Sequence, residues 1–169
     1  MKSLDTLPIS PAFLDTRSKR YQHHRRTWKR EPFEEEVTKE LWLLGALVGG
    51  PAAILDEQAP LTIARELLLE RRIPAIAVIC KSGTLRGLIT RTDILRTLAK
   101  QADATVADAM SGFVFVLPAD ATVEAAAALM AYEEVGQIVV VDVGGALVGI
   151  VSALDVARHV AMRAGLLAA

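Results

Sequence analysis

The sequence predicts an α/β fold made of two β-α-β-β-α repeats packed through their sheets with pseudo-twofold symmetry, preceded by an N-terminal extension. Three observations carry this expectation. Gly87-Leu88-Ile89-Thr90-Arg91-Thr92-Asp93 recurs as Gly149-Ile150-Val151-Ser152-Ala153-Leu154-Asp155, 62 residues later (149 − 87). Residues 42–100 align on 104–162 over 59 positions without a gap, with apolar positions matching in pairs such as Leu67 with Leu129, Val78 with Val140 and Leu85 with Leu147. The strand segments are apolar at nearly every residue, as in strands covered on both faces. One unit of ~60 residues is marginal alone, so the two are expected to share a core. The expected divisions are an extension over 1–40, a first repeat over 41–102 and a second over 103–169.

Residues 1–16 hold Pro8 and Pro11 without a sustained period and read as an irregular arm. A basic run follows, Arg17, Lys19, Arg20, Arg25, Arg26, Lys29 and Arg30, interleaved with Tyr21, His23, His24 and Trp28. Guanidinium groups beside aromatics suit contact with nucleic acid. Against this, the glutamates 31 and 34–36 follow at once and the arm's net charge is only +2, so a solvated or partner-pairing arm is preferred. His23 and His24 have no further His or Cys nearby to complete a metal site and are expected at the surface. Phe33, Val37, Leu41 and Leu44 recur at helical spacing and predict a helix over 33–48 packed on the core.

In the first copy, Ala53-Ile54-Leu55 predicts a short strand and Leu61 to Glu70 an amphipathic helix behind Pro60. Ala75 to Ile79 predicts a strand, Lys81-Ser82-Gly83-Thr84 a turn and Leu85 to Ile89 the returning strand. A helix from about Thr92 to Lys100 closes the unit. The second copy follows the same order. Val114-Phe115-Val116 is a strand, Thr122 caps a helix from Val123 to Tyr132, and Ile138 to Val141 is a strand. Gly144-Gly145 then turns the chain into a strand from Leu147 to Val151 and a helix from Val156 to Arg163.

Composition narrows the function. The 169 residues are 52% hydrophobic with net charge −1, but the first repeat carries 8 basic and 5 acidic groups and the second 2 and 8, so the repeats are electrically opposite (+3 and −6). The single cysteine, Cys80, excludes a disulfide framework and is expected as buried filler in a reducing compartment. Leu41 to Leu55 is 15 apolar-rich residues broken by Gly45, Gly49, Gly50 and Pro51, short of the ~20 a membrane span needs. The N-terminus lacks the pattern of a secretory signal, so a cytoplasmic location is expected. There is no Ser/His/Asp or Cys/His arrangement, no G-x-x-x-x-G-K-[ST] and no metal-ligand spacing, so neither an enzyme nor a required cofactor or metal is expected.

The duplicated motif carries the functional expectation. A strand ending in Thr90 or Ser152, with Asp93 or Asp155 three residues on, places a hydroxyl and a carboxylate at the start of a helix. The helix N-terminus attracts anions and the carboxylate can accept from ribose hydroxyls. Thr90-x-x-Asp93 and Ser152-x-x-Asp155 equally fit a capping box, a local device for starting any helix.

The gap-free duplication, the Asp108-Ala109-Met110 entry, the Leu117-Pro118-Ala119-Asp120 turn and both G-h-x-[T/S]-x-x-D segments resemble a tandem pair of CBS (cystathionine-β-synthase) domains, a Bateman module, over roughly residues 42–163. The resemblance implies clefts between the repeats that bind AMP, ADP, ATP or S-adenosylmethionine as regulatory ligand, a head-to-tail homodimer and a regulated partner protein. It implies Asp93 and Asp155 on ribose hydroxyls, with Thr90 and Ser152 on ribose or phosphate. The adenine is expected between Ile54, Val116, Ile73-Pro74-Ala75 and Gly136-Gln137-Ile138 with their neighbours Ala53 and Phe115.

Arg71-Arg72-Ile73-Pro74 resembles the basic segment that sends a cation toward phosphates, and Arg71 and Arg72 equally fit a solvated helix end where cations complement the dipole. The aligned Glu133-Glu134-Val135-Gly136 would instead repel a polyphosphate by about 1 kcal/mol per close pair in water. Arg91 follows Thr90, but Ala153 follows Ser152. The first motif is therefore expected to anchor the better nucleotide site, although each cleft in such modules borrows from both repeats and Glu134 can lie near either ligand. Two other readings stay open: a nucleic-acid-associated regulator using the basic arm, and a dimerisation scaffold without a ligand.

Overall fold

The computed structural model describes residues 42–167. The basic run at 17–30, the histidine pair at 23–24 and the 33–41 part of the expected helix lie outside the described residues. The first repeat runs β1 (Ile54–Asp56), α1 (Leu61–Glu70), β2 (Ala75–Ile79), β3 (Leu85–Thr90) and α2 (Arg91–Leu98). A single turn, α3 (Val106–Ala109), leads into β4 (Val116–Pro118), α4 (Val123–Glu133), β5 (Gln137–Val141), β6 (Leu147–Ser152) and α5 (Ala153–Arg163).

Each repeat has a three-stranded sheet in which the first strand pairs parallel with the second and the second antiparallel with the third. The registers superimpose after a shift of 62. Ile54↔Ala77 corresponds to Val116↔Val139, and Ala75↔Thr90 to Gln137↔Ser152. Even the irregularity in the hairpin ladder falls at the same place, between Val78 and Ile79 and between Val140 and Val141.

Helices α1 and α4 bury the same three positions, Leu61, Ala64 and Leu68 against Val123, Ala126 and Met130. Their spacing puts all three on one face. Each set fills the core of its own repeat. A third core lies between the sheets, where Ala77, Leu85 and Leu88 meet Val114, Val139 and Val141. At roughly 1.5–3 kcal/mol per buried Leu or Val, this shared layer supplies what one small unit lacks.

The lead-in segments cross over. The N–H of Leu61 donates to the carbonyl of Ala104 (2.9 Å), as that of Val123 does to Trp42 (3.0 Å). Val106 donates to Ala59 (2.9 Å), as Leu44 does to Ala121 (2.8 Å), and Ala107 to Glu57 (2.8 Å), as Gly45 does to Ala119 (2.9 Å). Residues 42–48 thus dock on the second repeat and residues 104–111 on the first. Leu44 and Val106, equivalent positions, are both fully buried in the opposite repeat's core.

The structure departs from the sequence reading at three places. Within the described residues the expected 33–48 helix is not one. Leu43 is extended and bridged to Thr122, and a 3-10 turn occupies Leu44–Leu47. Edge pairing with the second repeat consumes the hydrogen bonds an α-helix would need. The strand expected at Val114–Val116 starts two residues later, because Val114 turns into the inter-sheet core and Phe115 into a cleft. Cys80 is half-buried at the hairpin, its thiol 2.9 Å from the Ser82 hydroxyl, rather than buried filler. On α5, His159 is buried under Trp42 (ring centroids 4.9 Å apart), its Nε2 without a hydrogen-bond partner among the described residues.

Candidate ligand-binding cleft

A cavity of about 360 Å³ opens at the end of β3, within the size range of small-molecule sites. The first repeat supplies Leu88, Thr90, Thr92, Asp93 and Arg96. Opposite them stand Ser111, Phe113, Val114 and Phe115 from the lead-in to β4, and Glu134 to Gln137 from the α4–β5 junction.

Thr90 is extended and caps α2 (φ −120°, ψ 170°). Asp93 Oδ2 accepts from the Thr90 backbone N–H (2.9 Å) and from its hydroxyl (2.6 Å), while Thr90 Oγ1 accepts from the Asp93 N–H (3.4 Å). This is a complete capping box. It engages only one carboxylate oxygen, and Oδ1 has no hydrogen bond or ion pair among the described residues.

The glycine that opens the motif builds the adjoining wall. Leu88 and Ser111 exchange two backbone hydrogen bonds (3.1 and 2.8 Å), and a Cβ on Gly87 would lie 2.3 Å from the Ser111 carbonyl oxygen. Only glycine lets the lead-in pass this close. Beyond it, the Ser111 hydroxyl donates to the Phe113 carbonyl (3.2 Å), and Phe113 meets Phe115 edge to face (5.0 Å, 85°). Phe113 is 51% exposed, an aromatic face presented at the cleft.

The other wall begins where α4 ends. Glu134 takes the left-handed conformation (φ 55°, ψ 37°), its N–H donating to the Met130 carbonyl, and turns the chain through Val135 and Gly136 into β5. Arg96, one turn beyond Asp93, is the one cation lining the cleft among the described residues. It forms no ion pair with Asp93 or Glu134.

Of the residues expected from the sequence, Thr90, Asp93, Phe115, Gly136 and Gln137 come together here. Arg91, Arg72, Ile73, Pro74, Ala75, Ile54, Ser152, Asp155, Val116 and Ile138 do not line this cleft. Ile54 and Val116 belong to the inter-sheet layer, Ala75 is buried, and Ile138 is in the second repeat's core. Arg91 reaches back to the Ile73 carbonyl (Nη2 to O, 3.4 Å), and Arg72 and Pro74 are exposed. Ser152 and Asp155 form the same box at the second motif (2.8, 2.6 and 3.3 Å), but there Asp155 Oδ1 is met by Arg158 at 3.5 Å.

Glu134, and not Arg72, shares this cleft with Asp93, one of the two placements the sequence leaves open for Glu134. Sheet-to-sheet packing faces the β3–α2 junction of one repeat toward the α4–β5 junction of the other. Arg96, Ser111 and Phe113 were not anticipated. Arg96 was detectable, since it lies one helical turn from Asp93; Ser111 and Phe113 enter only through the crossover.

Among the described residues no group of His, Cys, Asp and Glu could hold a metal ion, and no helix is long and apolar enough to cross a membrane. A family model described as the CBS domain matches residues 47–100 and 106–162. The fold is similar to the CBS domain pair of protein MJ0100 crystallised with 5′-methylthioadenosine and S-adenosyl-L-methionine, at 25% identity and a TM-score of 0.67, over 73% of this chain and 98% of that one. It is also similar to CBSX2 in complex with AMP, at 23% identity and TM-score 0.62 over 73% and 98%. The CBS-domain protein ATU1752 from Agrobacterium tumefaciens matches at 22% identity and TM-score 0.63, over 69% and 91%. No match was found among curated proteins.

Proposed function

Since this chain belongs to the CBS-domain family, with both repeats matched, we propose that it is a non-catalytic regulatory module that binds an adenosyl compound between its repeats and signals its occupancy to a partner protein. The observation that carries this reading is Asp93: it lines a cleft with an aromatic wall, and its capping box engages Oδ2 alone, leaving Oδ1 unpaired among the described residues. Ribose hydroxyls would donate to Oδ1. The purine would lie against Phe113, Val114 and Phe115 on one side and Val135 to Gln137 on the other, as flat apolar faces favour. MJ0100, the neighbour at 25% identity, holds adenosyl compounds in the same fold.

A ligand held this way touches α2 of the first repeat and the α4–β5 junction of the second. Binding would therefore couple the repeats, and a partner sensitive to their relative placement would read the ligand's presence. A head-to-tail homodimer fits this reading, because the +3 repeat of one chain can face the −6 repeat of another. A cytoplasmic location belongs to the same proposal.

Isothermal titration calorimetry of the full chain against AMP, ADP, ATP and S-adenosylmethionine tests the reading, with Asp93→Asn alongside. The amide still accepts from the Thr90 N–H, so thermal stability should hardly move. Loss of the charged ribose acceptor should weaken binding about tenfold or more, since hydrogen bonds to a charged group contribute about 1.5–3 kcal/mol. No heat from the folded wild-type protein with any of the four would instead leave both motifs as capping boxes and the chain as a scaffold.

A further inference from the structure

Two non-glycine residues among those described have positive φ, Arg72 (52°) and Glu134 (55°). They are the same position of the two repeats, 62 residues apart (134 − 72). Side chains with a Cβ are uncommon in this conformation, and asparagine or glycine would relieve it. Both repeats nevertheless keep a long charged side chain there, and the two charges are opposite. The turn closes the helix end in both repeats, so what differs at this position is the charge the side chain carries.

Glu134 lines the Asp93 cleft. Among the described residues, Asp93 and Arg96 are the other charged lining groups, which gives this lining a formal charge of −1, and neither Glu134 nor Arg96 is neutralised by an ion pair there. A triphosphate brought into this space meets an additional carboxylate with one guanidinium to offset it. A 5′ substituent that is neutral or cationic meets no such penalty, and a sulfonium or ammonium gains from both carboxylates.

We propose that Glu134 is a specificity-determining residue that makes the Asp93 cleft select adenosyl ligands with a thioether or sulfonium at the 5′ position over adenine polyphosphates. This rests on the adenosyl-binding reading above.

Calorimetric titrations of the full chain with 5′-methylthioadenosine, S-adenosylmethionine and ATP test it in the wild type, Glu134→Gln and Glu134→Lys, each also in an Asp155→Asn background to weaken the second motif. The wild type should bind the two sulfur nucleosides about tenfold or more tightly than ATP. Glu134→Lys should raise ATP affinity about tenfold and lower that of S-adenosylmethionine, with methylthioadenosine, uncharged at the 5′ position, changing little. Glu134→Gln should fall between. An ATP to methylthioadenosine preference unchanged in Glu134→Lys would overturn this inference alone. Absence of binding by all three probes to folded wild-type protein would overturn the adenosyl reading and this inference together.

Discussion

The carboxylate of Asp93 starts a helix and at the same time lines a cavity. Its Oδ2 is engaged by Thr90, its Oδ1 has no partner among the described residues, and the residue lines a cavity. Asp155 repeats the first half of this arrangement but not the second, because Arg158 already meets its free oxygen. Equal motifs therefore have unequal surroundings. Cys80 shows a similar local effect. Its thiol is pulled down to about pKa 7, first by the Ser82 hydroxyl and then by the Ser82 backbone. Since the thiolate is the nucleophile, alkylation by iodoacetamide should accelerate up to about pH 7 and level off above it. Ser82→Ala should move that midpoint upward by removing the largest cause. A wild-type rate still climbing through about pH 8.5, where a free cysteine titrates, would show that the hairpin does not hold the thiolate.

At the scale of elements, the two motif glycines face different obstacles. A Cβ at Gly87 would strike the Ser111 carbonyl at 2.3 Å, and one at Gly149 would strike Val48 Cγ1 at 2.3 Å, with the Gly50 carbonyl at 3.3 Å. A backbone carbonyl hydrogen-bonded to Leu88 cannot step aside, whereas a valine methyl can change rotamer. Gly87→Ala should cost about 3 kcal/mol and Gly149→Ala about 1 kcal/mol, within the span for overpacking. Guanidinium titration of the two variants measures the difference, and equal losses would mean that the lead-in at Ser111 yields as readily as Val48.

Helices and strands were legible because periodicity and duplication are local. Leu61, Ala64 and Leu68 announce α1, and Thr122 announces α4. The cleft was legible only in part. Thr90 and Asp93 declare themselves by spacing, but Phe113 and Ser111 reach the site through an extended crossing, and Glu134 through sheet packing. Neither leaves a pattern within a single repeat.

At the scale of the molecule, the crossover makes each repeat depend on a segment that precedes the other. Leu44 is fully buried in the second repeat's core, yet it lies before β1; Val106 is fully buried in the first repeat's core, yet it lies after α2. A chain cut between 102 and 103 therefore yields two halves that each carry the wrong lead-in and expose the inter-sheet layer of Ala77, Leu85, Leu88, Val114, Val139 and Val141. Deleting one buried Leu side chain costs about 2–5 kcal/mol, and a domain's whole stability is about 5–15 kcal/mol. The loss of Leu44 together with the shared layer should exceed what a half can supply. Residues 42–102 and 103–167 expressed separately should show the circular dichroism of unfolded chains. Mixed in equal amounts, they should recover the native spectrum and a cooperative melt, because each brings the segment the other requires. A cooperative melt from either half alone would show that the crossover adds stability without being a condition of folding.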